Sequence, residues 1–246
     1  MSLELAFRTL FAVGELQPAG VSDLARNLEA PKTSVHRELR KLENIGWVRQ
    51  SHETNSSKWI LTTAPLTLAQ KVAGESNLKA IAMEEMRVLQ NRHEEAVHLA
   101  VPEVRSVVIV ERLECPKPIR IHWEVGNNNP MHASANGRAI LAFSSGEQYE
   151  KLLPTSFEPV AKKTVSSLED FLDEIDNVKR KGYSFVFEEL RDDVASIAAP
   201  ILGLNREPVA SLSIFLPSYR VPSDVDSVGQ DVKQAADRIS QKLVFH

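Results

Sequence analysis

The stretch APKTSVHRELRKLENIGW, residues 30–47, decides how this chain reads. At 100° per residue, Val35, Leu39 and Leu42 fall on one side of a helix and must face a core. Thr33, Arg37, Arg40 and Asn44 fall on the opposite side, flanked by Ser34, His36 and Lys41. Pro31 suits the first helical position, and Ile-Gly-Trp closes the segment. Charge on the exposed side of a helix is commonplace, so this helix alone is equally a solvated face or a reader of nucleic acid. Its neighbours separate the two.

Upstream, Leu3, Ala6, Phe7, Leu10 and Phe11 recur at helical spacing, and QPAG breaks that helix. VSDLARNL predicts a second helix, with Ser22 as N-cap, Asp23 in the dipole-favoured first turn, and Val21, Leu24, Ala25 and Leu28 as its apolar stripe. EAP makes a short turn into the basic helix. Downstream, WVRQ and KWILT predict two strands around the polar loop SHETNSS. Two helices, a short turn and a hairpin make a winged helix-turn-helix, far more specific together than any one part.

This order of side chains suits DNA. Short hydroxyls at Thr33 and Ser34 let a phosphate approach the exposed N–H groups of the helix N-terminus. Arg37 can reach guanine N7 and O6 bidentately, and the wing would lay Arg49 and Lys58 along phosphates. The predicted contact set is Ser22, Lys32, Thr33, Ser34, His36, Arg37, Arg40, Lys41, Arg49 and Lys58. Lys32, Lys41, Arg49 and Lys58 would supply affinity for phosphates, and Thr33, Ser34, Arg37 and Arg40 the choice of sequence.

Charge agrees with a local contact. The chain of 246 residues carries a net −4, so its whole surface is no nucleic-acid binder. Residues 1–63 carry +1 and the remainder −5, with five basic residues and two acidic ones in 31–50. Apolar residues at 43% and charged residues at 25% fit a folded globular protein rather than a disordered one. Cys115 is the only cysteine, which rules out an internal disulfide or a thiolate zinc cluster and suits a reducing compartment. The N-terminus makes a poor signal peptide because Arg8 interrupts its apolar stretch. No apolar run approaches the roughly 18–20 residues of a membrane span. A cytoplasmic protein is expected.

Beyond residue 63, PLTLAQKVAG predicts a short helical connector and NLKAIAMEEMRVLQNRH a longer helix. AVHLAV, SVVIVERL and PIRIHWEV read as strands. A loop, GNNNPMHAS, leads to a helix at ANGRAILAF. Acidic helices follow at about 146–153 and 167–181, then strands at YSFVFEE, ASIAAPIL and PVASLSIFL, and a closing helix with Val228, Val232, Ala235, Ile239 and Leu243. The mixture lacks a βαβ rhythm, so the expected fold class is α+β with a largely antiparallel sheet.

VSDLARNLEAPKTSVHRELRKLENIGWVRQ resembles the winged helix-turn-helix of the IclR family of bacterial transcriptional regulators. VGNNNPMHASANGRAILAF resembles the loop-to-helix segment at that family's effector site. KGYSFVFEELRDDVASIAAPILGLNREPVASLSIFLPSYRV resembles its C-terminal signature, including Gly182, Glu189, Ser196, Ile197, Ala198 and Ile201. The likeness runs through nearly the whole chain in the expected order. It implies a DNA-binding domain at 1–63, a linker helix at 64–76 and a GAF-like effector-binding domain at 77–246. It also implies homodimers, often paired into homotetramers, reading a pseudo-palindromic double-stranded operator.

By its residues alone, HASANG presents backbone N–H groups at a helix N-terminus. Ala135, Asn136 and Gly137 could grip a carboxylate there, while Ser134 equally makes an ordinary N-cap. The resemblance adds Val186, Ser196, Ser213 and Phe215 to the effector cavity, with Ile121 on the opposite wall. Departures from the family pattern are informative. Valine at 186 replaces an acidic residue or serine, serine at 196 a frequent cysteine, and Phe215 a small hydroxyl residue; Leu202 and Gly203 replace an aromatic and Asp or Asn. Fewer polar partners and an added ring imply an effector with one acidic end and an apolar body. An aromatic or branched carboxylate, or a related amide or hydrazide, is expected rather than glyoxylate or pyruvate.

Other chemistry is weakly signalled. His98, His122 and His132 are the histidines to check for metal, but none sits in a ligand spacing, so no metal or cofactor is expected. Ser134 with His132, or Cys115 with a histidine, lacks the elbow and orienting acid of a hydrolase, so no enzyme is expected. Repression of a catabolic operon is expected over activation, since a roadblock needs no polymerase-contacting surface. A small-molecule sensor acting through protein contacts is the alternative.

Overall fold

The computed structural model describes residues 3–51, 57–68 and 77–244. The chain divides into two compact units, 1–76 and 77–246.

The first unit packs α1 (Leu3–Leu16), α2 (Val21–Asn27) and α3 (Lys32–Asn44) against a small sheet of β1 (Ala19–Gly20), β2 (Val48–Ser51) and β3 (Lys58–Leu61) in the order β1-β3-β2. Leu24 from α2, Val35 and Leu39 from α3, Val13 from α1 and Trp59 from β3 close a core with essentially no exposed surface. Gly46 ends the recognition segment at φ +80°, a left-handed turn that glycine enters without steric cost, and lets Trp47 N return to Leu42 O at 2.9 Å.

Four local expectations are corrected. Of the α1 stripe, Leu3, Phe7 and Phe11 face outward, with Phe7 51% and Phe11 71% exposed; Leu10 alone of it is buried, alongside Ala12 and Val13. Helical spacing identifies an apolar stripe but not which side the rest of the unit covers. Gly20, not Ser22, is the N-cap of α2, because the chain enters that helix directly from β1. Pro31 is the N-cap of α3 rather than its first residue: its carbonyl accepts from Ser34 N and Val35 N, and proline lacks only the N–H that this end leaves unused. The fourth lies in the second unit. Residues 52–56 of the predicted wing loop, and 69–76 of the predicted linker, lie outside the described residues; 64–68 are helical.

The second unit is built on a six-stranded antiparallel sheet in the order β6-β5-β4-β9-β8-β7. Its strands are β4 (Ala96–Glu103), β5 (Ser106–Leu113), β6 (Asn128–Pro130), β7 (Ser184–Phe187), β8 (Val194–Leu202) and β9 (Pro208–Pro217). One face buries Val97, Leu99, Ile197, Ile201, Leu212 and Ile214 under α4 (Leu78–His93) and α8 (Val225–Val244). The other face meets α5 (Ala135–Phe143), which is buried from Ala135 to Ala142, and α7 (Leu168–Lys181) lies behind it through Phe171, Ile175 and Val178. The acidic α6 (Gly146–Leu152) sits at the margin. No helix among the described residues is long and apolar enough to cross a membrane.

PIRIHWEV, expected as a strand, is not one. The free edge of β5 is already taken: Gly126 N donates to Ile109 O at 2.8 Å, Ile109 N to Asn127 O at 3.0 Å, and β6 follows inside the expected loop. Guanidinium groups satisfy carbonyls of residues 118–125 instead. Arg220 Nη1 donates to Ile119 O at 2.8 Å, and Arg112 to Trp123 O. The segment forms a wall beside the sheet rather than part of it.

Candidate functional site

The α3 face is arranged as its sequence implies. Lys32, Thr33, His36, Arg37, Arg40 and Lys41 are exposed and Ser34 is half-buried, over the fully buried Val35 and Leu39. Ser22 in the first turn of α2 and Arg49 on β2 are exposed, and Lys58 at the start of β3 is half-buried. His36 stands edge-on to the Trp59 ring at 6.5 Å, which ties the helix to the hairpin.

Sequence reasoning missed Glu38, an acid in the middle of this basic face that is only 3% exposed. Its carboxylate accepts from Lys41 Nζ at 2.9 and 3.0 Å, and from Arg37 Nε at 3.4 Å. The Lys41 ammonium holds this carboxyl below its ordinary range against the opposing push of burial. Arg40 Nη1 is paired to Glu43 at 2.7 Å. Lys41 and Arg40 are thus held by near neighbours, whereas Arg37 makes only a long contact. The (i, i+3) spacing of Glu38 to Lys41 was the available signal.

In the second unit, cross-strand register lines the α5 face of the sheet. Val186, Ser196, Phe215 and Ala96 stand side by side in one row; Ser184, Ala198, Ser213 and His98 form the next. All eight are buried. The structure splits the expected effector residues into two adjoining clusters. Ala135 packs with Ala139, Val186 and Ala198. Phe215 packs with Ala96, Cys115, Ala133, Leu190 and Val194, joined by Ile121 and Trp123.

The N-terminus of α5 is an ordinary cap. Ser134 Oγ accepts from Gly137 N at 3.0 Å, so one of the three amides expected to hold an acid group is committed within the chain. Gly137 is required by close approach: a Cβ there would lie 2.4 Å from Met131 O. Asn136 is also committed in part, its Oδ1 accepting from Ser211 Oγ at 2.9 Å, and Ser213 Oγ donates to His98 O at 3.3 Å.

Several buried polar atoms of this unit have no partner among the described residues: His98 Nδ1, Asn136 Nδ2 and Ser184 Oγ on the sheet and α5, and Trp123 Nε1 in the wall beside it. A buried donor left unpaired within the chain costs about 1–3 kcal/mol. His98 is 1% exposed, and burial, reinforced by the nearby Arg112 and His122, pushes its pKa down to about 3. It is a neutral imidazole at physiological pH.

The other two histidines checked for metal are engaged elsewhere. His122 lies 3.2 Å from Arg112 Nη1, and His132 Nε2 pairs with Glu158 O at 3.0 Å. Among the described residues no three His, Cys, Asp or Glu side chains are grouped to hold a metal. Burial pushes the Cys115 thiol above its ordinary range, and its Sγ faces Glu95 at 3.4 Å, which suits a resting thiol rather than a nucleophile. Glu95 is itself held by Arg220 through two contacts of 2.7 Å. A second buried pair supports the loop before α5. Arg138, with no exposed surface, donates to Glu189 through both terminal nitrogens and to His132 O from Nε at 2.8 Å.

Comparison with known proteins covers both units. The model described as "IclR helix-turn-helix domain" matches residues 2–52, and "Bacterial transcriptional regulator IclR C-terminal" matches residues 70–241. The HTH-type transcriptional regulator KipR of Bacillus subtilis (strain 168) is 31% identical over 227 residues, 92% of this chain and 90% of that one. Transcriptional repressor IclR of Escherichia coli (strain K12) is 30% identical over 224 residues, 89% of this chain and 81% of that one. A crystal structure of an IclR homolog from Microbacterium hydrocarbonoxydans, complexed with 4-hydroxybenzoate, shares the fold at a TM-score of 0.81, with 24% identity and 99% of each chain covered. The Bacillus and Escherichia relatives are named as regulators of transcription, in line with the expectation that the chain is not an enzyme.

Proposed function

This chain belongs to the IclR family of DNA-binding bacterial transcriptional regulators, and from that premise we propose that it is a repressor of a catabolic operon tuned by an aromatic or branched organic acid. The carrying observation is the exposed face of α3, with Arg37 and the Thr33–Ser34 hydroxyls outward and leucines anchoring it from behind. Two copies would pair through their first units, making one symmetric reader of two half-sites. The outward Leu3, Phe7 and Phe11 support that pairing, since apolar patches on a small unit mark contact surfaces. Pairs of dimers would form tetramers. A ligand in the second unit would act on DNA through residues 64–76, so ligand and operator affinities are reciprocally coupled. A gel shift on DNA flanking the protein's own gene, repeated with added acids, tests the whole reading.

The aromatic character of the effector is supported by Phe215, fully buried with the His98 ring 4.6 Å and the Trp123 ring 6.1 Å away. The 4-hydroxybenzoate bound by the solved Microbacterium homolog is consistent with it. Titration calorimetry with phenylacetate, benzoate, glyoxylate and pyruvate should give binding by the aromatic acids. Tight binding of the small oxo-acids with none of the aromatic ones overturns this assignment.

Glu38 makes a further expectation measurable. Lys41→Ala should weaken cognate and scrambled DNA alike and reduce the salt slope by about 1, the share of one phosphate contact. Glu38→Gln should do the reverse, because Lys41 is released from a buried carboxylate: non-specific affinity rises and the slope steepens by about the same amount. Anisotropy titrations across a salt series check both, and an unchanged slope in Glu38→Gln would remove Lys41 from the contact set.

A further inference from the structure

We propose that the second unit holds a further binding site, for a small aliphatic carboxylate, on the opposite side of the sheet from the expected effector cavity. A cavity of about 350 Å³ opens where the end of α4 meets β9 and the start of α8. Its apolar lining is Ile214 and Leu216 of β9 with Val228 of α8, all part of the packing beneath the two helices. Residues alternate along a strand, so Ile214 and Leu216 face away from Ser213 and Phe215, which stand on the α5 side. β9 is thus a partition between the two sites, and no residue of the expected effector set lines this cavity.

The polar lining selects an anion. Arg92, Lys117 and Arg220 line the cavity against a single carboxylate, Glu95. His93 lines it too, and burial pushes its pKa below the ordinary value, so it adds no charge at physiological pH. Arg220 is a fixed wall: Nε and Nη2 each donate to Glu95 at 2.7 Å, and Nη1 donates to Ile119 O at 2.8 Å. With Glu95 held in that way, Lys117 is only a further donor to it, at 3.0 Å. Glu94 lies 3.9 Å from Lys117 and is largely exposed, a partner well screened by solvent. Arg92 pairs only through Nη1, with Asp231 at 2.8 Å, and Asp231 keeps His93 Nε2 at 3.1 Å if Arg92 turns away. Arg92 and Lys117 can therefore offer donors to a ligand carboxylate without stranding a buried charge. The hydrocarbon behind that carboxylate would lie on Ile214, Leu216 and Val228, in a space at the small end of ligand pockets.

Calorimetry on the full chain with acetate, butyrate, hexanoate and sulfate, at fixed ionic strength, tests this. Affinity should rise with chain length, about fourfold for each methylene buried. The double variant Arg92→Gln with Lys117→Gln should bind hexanoate about tenfold more weakly or worse, the loss of a charge-assisted contact. Its melting temperature should stay close to that of the wild type, because both side chains reach solvent and leave Asp231 and Glu95 a partner each. Three results overturn the inference. Binding of none of the acids at millimolar concentration removes the site. Hexanoate held as tightly by the double variant as by the wild type places the acid elsewhere, the effector cavity included. Sulfate or acetate bound as tightly as hexanoate reduces the cavity to a patch of charge. The aromatic-acid reading of the α5 side stands or falls separately, on its own titrations.

Discussion

Glu189→Ala should destabilise the second unit by about 3–5 kcal/mol, the usual loss when one partner of a buried ion pair is removed. Arg138 has no exposed surface, and its guanidinium is anchored at every nitrogen: Nη1 to Glu189 at 3.0 Å, Nη2 to the same carboxylate and Nε to His132 O. Glu189 also accepts from Val165 N at 3.2 Å, so its loss strands three donors, two of them on the unpaired charge. Another acid, Glu174, lies 4.0 Å away and is half-exposed, too distant and too well solvated to replace it. Arg138 positions the loop 131–134 that lays Met131 over Gly137, so the same substitution should weaken effector binding. Denaturant midpoints followed by far-UV circular dichroism check the first effect and calorimetry the second. Replacing both residues by apolar side chains of similar volume should recover most of the stability, since a pair absent from both sides strands nothing. A midpoint unmoved in Glu189→Ala would mean that water reaches Arg138.

Arg37→Ala should cost about 1–3 kcal/mol on the cognate operator, some 5- to 150-fold in affinity, and relax the base preference at one position in each half-site. Arg37 is singled out by its surroundings. Arg40 is paired to Glu43 at 2.7 Å and Lys41 to Glu38 at 2.9 Å, whereas Arg37 has only a contact of 3.4 Å to give up before engaging a guanine. Arg40→Ala should therefore cost less, because the contact to Glu43 must be broken before that side chain can reach DNA. Competition assays on operators substituted at single positions separate lost specificity from lost affinity. Equal losses on cognate and scrambled sequences would remove Arg37 from base recognition.

What the sequence reveals follows from the range of the interactions involved. The α3 faces were legible because helical period and burial are local, and Val35, Leu39 and Leu42 are all buried as spaced. The bounds of β5 and α5 were legible for the same reason: SVVIVERL carries the β-branched run Val107–Val110, and Ser134 caps ANGRAILAF within the same turn. PIRIHWEV misled because its alternation is as strand-like as that of its neighbours. What denies it a place in the sheet is the prior occupancy of β5 by residues 126–130, together with an arginine 101 residues further along the chain. Nor could spacing reveal Arg138 with Glu189, 51 positions apart, or the contacts of the His98 and Trp123 rings with Phe215. The outward stripe of α1 shows the converse limit. Leu3, Phe7 and Phe11 are as regular as a core stripe, and regularity does not say whose core it is.

The two surfaces of the large sheet divide their labour. Toward α4 and α8 it presents long aliphatic chains, interlocked and intolerant of exchange. In the two rows toward α5 it presents alanines, serines, one valine, one histidine and one phenylalanine, side chains mostly smaller than those of the opposite face. Inheritance can therefore revise what such a protein senses, one small side chain at a time, without eroding the reserve that keeps it folded. Divergence in diet need not await divergence in architecture.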